Sequence, residues 1–317
     1  MTSRPSATEN DFTVDRTRPL LQRACAAIGL DARDAQVLRH HTNAVYLVGD
    51  VPNAVVVKIS RPGSNPQQSL SNARGLVSLV AWLTRHRVPI SPLLHGVEQP
   101  VVIDNHVVTF WHHLPQDRPV STEAIAKPLL ALHQALQPSI NLPAFDPITA
   151  ITRSADASRI LSDEHKVVIR EKLDGLRTFW AHLVQATSPC LIHTDPQHRN
   201  TLWRPATGGE RAAVRGFPTS AILCDLDGVT LGPVEWDLVT VEVHCRRFGH
   251  ADYETFAAAY GRDVREWQGY PKLRALRELR MITTNARKSQ PGSPQAAEVI
   301  RRVHSIDEDV TLRWNII

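Results

Sequence analysis

The sequence predicts an α+β chain in two parts, a small β-rich N-terminal lobe over residues 1–113 and a larger, mainly helical C-terminal lobe over 114–317. Three observations carry this reading. β-branched and apolar runs crowd the first third of the chain. A polar, proline-bearing connector follows, Leu114-Pro115-Gln116-Asp117-Arg118-Pro119, and after it apolar residues recur at i, i+3, i+4 spacing. At 317 residues the chain exceeds the usual single domain, and 42% hydrophobic with 21% charged residues excludes disordered and fibrous classes.

In chain order, Gln36 to Val48 and Asn53 to Ile59 read as strands around the turn-like Gly49-Asp50-Val51-Pro52, an antiparallel hairpin. Leu70 to His86 sets Ala73, Leu76, Val77, Val80 and Leu83 at helical spacing, and Val88-Pro89 ends it. Two strands, Pro100 to Ile103 and His106 to Trp111, flank the turn Asp104-Asn105. Beyond the connector, Thr122 to Leu136 and Asp163 to Ala186 read as long helices, the second with Val167, Val168, Leu173, Leu176, Trp180 and Leu183 on its apolar face. Two short strands, Cys190 to Ile192 and Ala221 to Cys224, each run directly into a polar cluster. Helices over Trp236 to Phe248, Tyr253 to Tyr260, Lys272 to Arg287 and Pro294 to His304 close the chain.

No apolar run approaches the ~18 residues of a membrane span, and Met1 to Asp15 lacks a signal pattern, so a cytoplasmic protein without a membrane partner is expected. Cys25, Cys190, Cys224 and Cys245 lie far apart, without C-x-x-C, and are expected to be buried thiols. The net charge of +4 comes from 36 basic residues interspersed among 32 acidic ones, so no nucleic-acid partner is expected.

Chemistry concentrates in three places. His193-Thr194-Asp195-Pro196-Gln197-His198-Arg199-Asn200 has the spacing H-x-D-x-x-x-x-N, which lets a carboxylate take a hydroxyl proton while an amide oxygen holds magnesium on nucleotide phosphates. Asp195 is the candidate base and Asn200 a metal ligand; His193 is expected mainly to hold the loop. Downstream, the strand ending at Cys224 delivers Asp225-Leu226-Asp227-Gly228, whose Asp225 can chelate the metal. Upstream, Lys58 sits within Val55-Val56-Val57-Lys58-Ile59, where a cation in an apolar strand calls for an anionic partner such as phosphate.

With these motifs the chain resembles the aminoglycoside-phosphotransferase and choline-kinase-like branch of the protein-kinase fold, over roughly residues 35 to 290. That branch writes its loop H-G-D-x-x-x-x-N and its metal segment I-D-[FW]. The resemblance implies a bilobal kinase-like fold and transfer of the γ-phosphoryl group of ATP or GTP, with Mg2+, to a small hydroxylated molecule such as an antibiotic, a sugar or a similar metabolite. Gly232-Pro233-Val234-Glu235-Trp236-Asp237-Leu238 resembles G-P-x-x-W-D-L, implying that Asp237 braces the catalytic loop. Thr109-Phe110-Trp111 resembles the hinge, implying adenine contacts from the main chain around Phe110, Trp111 and His112. The nucleotide is expected between the lobes. Acceptor contacts are expected near Glu235 and Glu242. The twelve positions from Asp225 to Asp237 leave no room for a protein kinase's activation segment, which disfavours a protein substrate.

Three departures stand out. Arg39-His40-His41-Thr42-Asn43-Ala44, in the place of the phosphate loop, has no glycine, so phosphate contact falls to the backbone and to Thr42 or Asn43. Leu76 stands where the family places the glutamate partner of the strand lysine. Asp227 replaces the glycine of D-F-G and is a second candidate metal ligand. Two alternatives use the same residues: a catalytically inactive kinase-like nucleotide-binding module, and a haloacid-dehalogenase-like phosphatase with Asp225 as nucleophile and Asp227 as acid and base. The second needs a doubly wound sheet after the motif and a downstream acidic pair, for which Asp307-Glu308-Asp309 comes almost at the end of the chain. A D-x-D glycosyltransferase would leave the His193 loop and Lys58 unexplained, and the histidine pairs show no zinc spacing. Between Gly261 and Arg302 basic residues outnumber acidic ones, and if they face the site they favour a neutral or anionic acceptor over a polycation.

Overall fold

The computed structural model describes residues 12–40, 42–63, 65–204, 221–250, 252–306 and 310–317. They form two compact units, one made by the chain up to Asp117 with returns at Pro138–Asn141 and from Trp203, the other by the rest. The break falls inside the predicted connector, four residues beyond the expected 113.

The first unit holds a five-stranded antiparallel sheet. Its strands are β1 (Gln36–His40), β2 (Asn43–Val48), β3 (Val55–Ser60), β4 (Val101–Ile103) and β5 (His106–His112), in the order β1-β2-β3-β5-β4. The segment expected as one strand, Gln36 to Val48, is itself a hairpin, with Gln36 opposite Leu47 and His40 opposite Ala44. The polar stretch Arg39 to Asn43 marks the reversal but contains none of the glycine or proline that usually signals a turn, and Thr42 is the one described residue between these strands. The turn Asp104-Asn105 has φ of 48° and 66°, the left-handed pair that a two-residue hairpin loop requires.

Period-two alternation decides which side chains reach the core. Val55, Val57 and Ile59 of β3 point inward with Tyr46 and Phe110, and helix α1 (Val14–Ala26) covers them with Leu20, Leu21, Ala24 and Cys25. Burying each such side chain contributes about 1.5–3 kcal/mol. The Tyr46 hydroxyl ends this core against Thr17 Oγ1 at 2.6 Å. Helix α2 (Pro66–Arg85), capped by Asn65, buries Leu79, Val80 and Leu83, none of which belongs to the cluster beneath α1.

The second unit is helical: α3 (Thr122–Gln134), α4 (Pro147–Asp156), α5 (Asp163–Ala186), α6 (Val234–Phe248), α7 (Tyr253–Tyr260), α8 (Tyr270–Lys288) and α9 (Pro294–His304). Within α5 the buried stripe is Ile169, Leu173, Leu176, Trp180 and Leu183, whereas Val167 and Val168 are exposed, one turn short of the packed face. Short strands β6 (Cys190–Ile192) and β9 (Thr230–Gly232) pair, as do β7 (Thr201–Trp203) and β8 (Ala221–Leu223). Among the described residues no parallel sheet follows Asp225, which removes the haloacid-dehalogenase-like alternative; its acidic trio, Asp307-Glu308-Asp309, lies outside the described residues. No described helix is long and apolar enough to cross a membrane. Cys25 and Cys245 are buried as expected, while Cys190 and Cys224 are only half-buried; all four are free thiols.

Candidate active site

The catalytic-loop residues leave β6 and turn through a short 3-10 segment, His198–Asn200, into β7. Asp237, in the first turn of α6 and fully buried, holds the loop's start. One carboxylate oxygen accepts the N–H of His193 at 2.6 Å and Nε2–H of His133 at 3.0 Å; the other accepts the N–H of Thr194 at 2.8 Å. Trp236 Nε1–H donates to the Thr194 carbonyl at 2.9 Å, and the indole is anchored edge-on against Phe145 and Trp180. His193 Nε2 meets the Cys224 carbonyl at 2.9 Å, and Cys224 N–H donates to the Asn200 carbonyl at 2.9 Å, so the Asp195 loop and the Asp225 segment form one hydrogen-bonded body.

Asp195 is half-buried, with 42% of its side chain exposed. Its Oδ2 accepts from Gln197 Nε2 at 2.7 Å and Asn200 Nδ2 at 3.2 Å; Oδ1 accepts from Arg277 of α8 at 2.5 Å and lies 3.9 Å from His244 Nε2 of α6. Burial acts to raise this carboxyl, but the Arg277 guanidinium, followed by His244 and the Gln197 hydrogen bond, outweighs it and holds Asp195 below the ordinary carboxylate value. It is therefore an anion poised at partly open surface. His244 escaped the sequence reading and Arg277 entered it only as one of the basic residues between Gly261 and Arg302, though both carried a signal: each places a polar group on an otherwise apolar helical face, Arg277 beside Leu273 and Leu276, His244 beside Val241 and Val243.

Asp225 and Asp227 are exposed and flank the buried anchor Leu226. Asp225 sits in the left-handed region at φ 59°, ψ 54°, a costly conformation for a residue other than glycine and one that recurs at functional sites. Asn200 turns its amide nitrogen to Asp195, which leaves Oδ1 without a hydrogen bond among the described residues. An uncommitted amide oxygen beside aspartate carboxylates is a hard all-oxygen donor set, which fits Mg2+ and not zinc. No described cluster of three or more His, Cys, Asp or Glu side chains is arranged to hold a metal without help from a ligand.

In the first unit, Lys58 lies on central strand β3, opposite Val45 and Thr109, on the half-buried face away from the α1 core. An edge-strand lysine, the only comfortable structural alternative, is thereby excluded. Thr42 is exposed before β2, and Asn43 begins it opposite Ser60; their neighbour His41 lies outside the described residues. The adenine contact expected of Phe110 needs correcting. Its ring is in the α1 core, its N–H donates to Gln99 Oε1 at 2.9 Å, and its carbonyl accepts Leu94 N–H at 2.9 Å. Trp111 pairs with Val56 and bridges to Leu93, and His112 N–H donates to Pro92, so this stretch has sheet partners on both sides.

The acceptor residues and the basic surplus also look different in three dimensions. Glu235 is ion-paired with Arg262 at 2.8 Å and Glu242 with Arg246 at 2.9 Å, both carboxylates buried. Arg265 is held by Asp263 and Glu254, and Arg301 and Arg302 by Glu298. Most of the surplus is thus spent inside the fold. Arg277 and Arg280 are the arginines of this stretch whose charge acts on Asp195.

A profile of the phosphotransferase enzyme family matches residues 34–276. The chain belongs to this family. No curated protein matches it in sequence. Among solved structures, the phosphotransferase fold seen here is similar to a microcompartment-associated aminopropanol kinase at TM-score 0.68, with 17% identity over 91% of this chain and 94% of that one. It is similar to choline kinase LicA from Streptococcus pneumoniae at 0.65, with 13% identity over 91% and 97%. Spectinomycin phosphotransferase APH(9)-Ia, solved with ADP and spectinomycin, follows at 0.57, with 14% identity over 93% and 94%. The fold is kinase-like, as expected, and the chain is a member of the phosphotransferase enzyme family.

Proposed function

We propose that this phosphotransferase moves the γ-phosphoryl group of ATP to a hydroxyl of a small molecule, with Asp195 as the group that orients the hydroxyl and takes its proton. The observation that carries this reading is the joined constellation of Asp195, Asn200 and Asp225, tied by His193 and Asn200 to one another's backbones and braced from behind by Asp237. The hydroxyl oxygen forms its bond to the γ-phosphorus as the bond to the β,γ-bridging oxygen breaks. ADP leaves with that electron pair, and the proton passes to the Asp195 carboxylate. Asp195 is held as an anion by Arg277, so it orients the hydroxyl from the start and takes the proton late. Magnesium at Asn200 and Asp225, with Asp227 as a further carboxylate, would offset the phosphate charge during transfer. Lys58 would neutralise the phosphates, Thr42 and Asn43 would approach them, and adenine would meet main chain beyond the sheet, past His113, whose N–H donates to the Ala54 carbonyl at 3.2 Å, rather than Phe110.

The inactive-module alternative is disfavoured because every group that chemistry requires in the loop is present and connected. Incubation with MgATP and a panel of hydroxylated compounds, followed by 31P NMR, should reveal a phosphomonoester. ATP binding without any phosphomonoester across the panel would favour the inactive module. Asp225→Ala should raise the magnesium concentration needed for half-maximal nucleotide binding by at least about tenfold; a titration matching the parent would remove Asp225 from the metal site.

A further inference from the structure

Arg277 of α8 holds one carboxylate, Asp195, and Arg280, three residues further along the helix, feels the charge of the same carboxylate without pairing with it. Arg277 gives one nitrogen to Asp195 at 2.5 Å, and its buried Nε has no partner among the described residues. Arg280 is half-buried, donates only to the Thr284 hydroxyl at 2.5 Å, and has no acidic ion-pair partner among the described residues. Its surroundings disfavour its charge: burial first, then the positive Arg277 and Arg287, pull it down to about 10, with Asp195 the carboxylate that opposes them. Of the other cations of α8, Lys272 lies over the Phe179 ring and Arg274 over Tyr270, while Arg287 adds positive charge near Arg280. A half-buried guanidinium without a counter-ion is costly, and one kept within reach of the proton acceptor's charge gains most from a ligand that brings the missing negative charge.

Resting on the phosphotransferase reading, we infer that the acceptor is a hydroxylated acid, whose carboxylate or phosphate is taken by Arg280 with help from Arg277 while its hydroxyl lies on Asp195. Three residues of helix rise about 4.5 Å, so a negative group on Arg280 would sit only a few bonds from the hydroxyl-bearing carbon. A cationic acceptor would bring a third positive charge into the same corner. Arg280 is thus a specificity-determining residue, and the positive charge reaching the acceptor comes from this pair, not from the wider basic surplus of the C-terminal helices.

The test compares matched acceptors that differ only in charge: glucuronate, glucose and glucosamine, and glycerate, glycerol and 3-amino-1,2-propanediol, each with MgATP. The acid of a triplet should exceed its neutral and amine counterparts in kcat/KM by tenfold or more. Arg280→Gln should lower that acid-to-neutral ratio by about ten- to a hundredfold through KM, the scale of one charge-assisted hydrogen bond, with Arg280→Lys restoring part of it. Preferred turnover of a neutral or amine member would overturn the inference and leave the phosphotransferase reading intact. A rise in KM for ATP in Arg280→Gln with the ratio unchanged would also overturn it, assigning the arginine to the nucleotide's phosphates. No turnover of any member would overturn the inference, and the wider 31P NMR panel then decides between the phosphotransferase reading and the inactive module.

Discussion

Thr194 lies at φ 73°, where a β-branched side chain costs about 1–2 kcal/mol, and the family's loop has glycine at this position. The conformation is imposed from outside: Asp237 takes the Thr194 N–H and Trp236 holds its carbonyl. Gly228 is the counterpart of this strain, since a Cβ there would come within 2.5 Å of Thr194 Oγ1. Gly228→Ala should therefore lose about 1–3 kcal/mol in urea unfolding, the usual scale of overpacking. Adding Thr194→Gly, which removes the clashing oxygen, should recover at least half of that loss; strictly additive effects of the two changes would show that the contact is not what excludes a side chain at 228. Asp237→Asn replaces a three-fold acceptor with a group that must turn an N–H toward one of its donors, and about 2–3 kcal/mol should be lost with a matching fall in turnover. Unchanged unfolding of that variant would contradict the bracing role.

At the scale of elements, the helices Asp163–Ala186, Tyr253–Tyr260 and Pro294–His304 lie within the bounds expected from the sequence. The helix over the sheet, α1, was not legible, because Arg-rich sequence and Pro19 within it blur the stripe that Leu20, Leu21 and Ala24 form once packed. Helix α4 was not read from the sequence, and the three-residue strands β7 and β9 are too short to show a period. Where the C-terminal arginines point stayed open in the sequence for a related reason: net charge along a sequence does not say which charges are consumed by tertiary contacts. Arg247 donates to the Leu312 carbonyl at 2.9 Å, Arg301 to that of Arg313 at 2.8 Å, and Arg302 to that of Asn315. Arg247 and Arg302 also stack on Trp314, at 4.7 and 4.8 Å from the ring. The final segment is thus a strap over two fully buried guanidiniums. Trp314→Ala should cost about 3–5 kcal/mol, more than cavity formation near a surface terminus alone, because it uncovers both charges. An unfolding midpoint equal to the parent's would show that the strap is dispensable.

Over the whole molecule, the catalytic motifs were legible because phosphoryl transfer demands particular side chains at short spacing, whereas Arg277 and His244 reach Asp195 only through the packing of α8 and α6. That packing has a consequence for pH. Burial, then the neighbouring His250, depresses His198 to about 4, and burial depresses His244 to about 3 against the pull of Asp195. Because these folded values lie below the ordinary 6.5, the unfolded chain binds protons first as pH falls. The stabilisation is complete above about 6.5 and is lost progressively toward the folded values, at no more than ~1.4 kcal/mol per pH unit for each ring. The urea midpoint should accordingly drop between pH 7 and pH 5, and His198→Gln should shallow the drop; equal midpoints at both pH values would contradict it. Asp195, held below the ordinary carboxylate value, stays ionised across the same range, so loss of activity there should track unfolding and not titration of the base. The central claim is that Asp195 takes the acceptor's proton, and the most direct measurement is the initial rate of γ-phosphoryl transfer from [γ-32P]ATP in Asp195→Asn, a variant that keeps a hydrogen-bond acceptor for Arg277. A rate reduced about a hundred- to ten-thousandfold with nucleotide affinity retained is the predicted result; transfer at the parent's rate would contradict it.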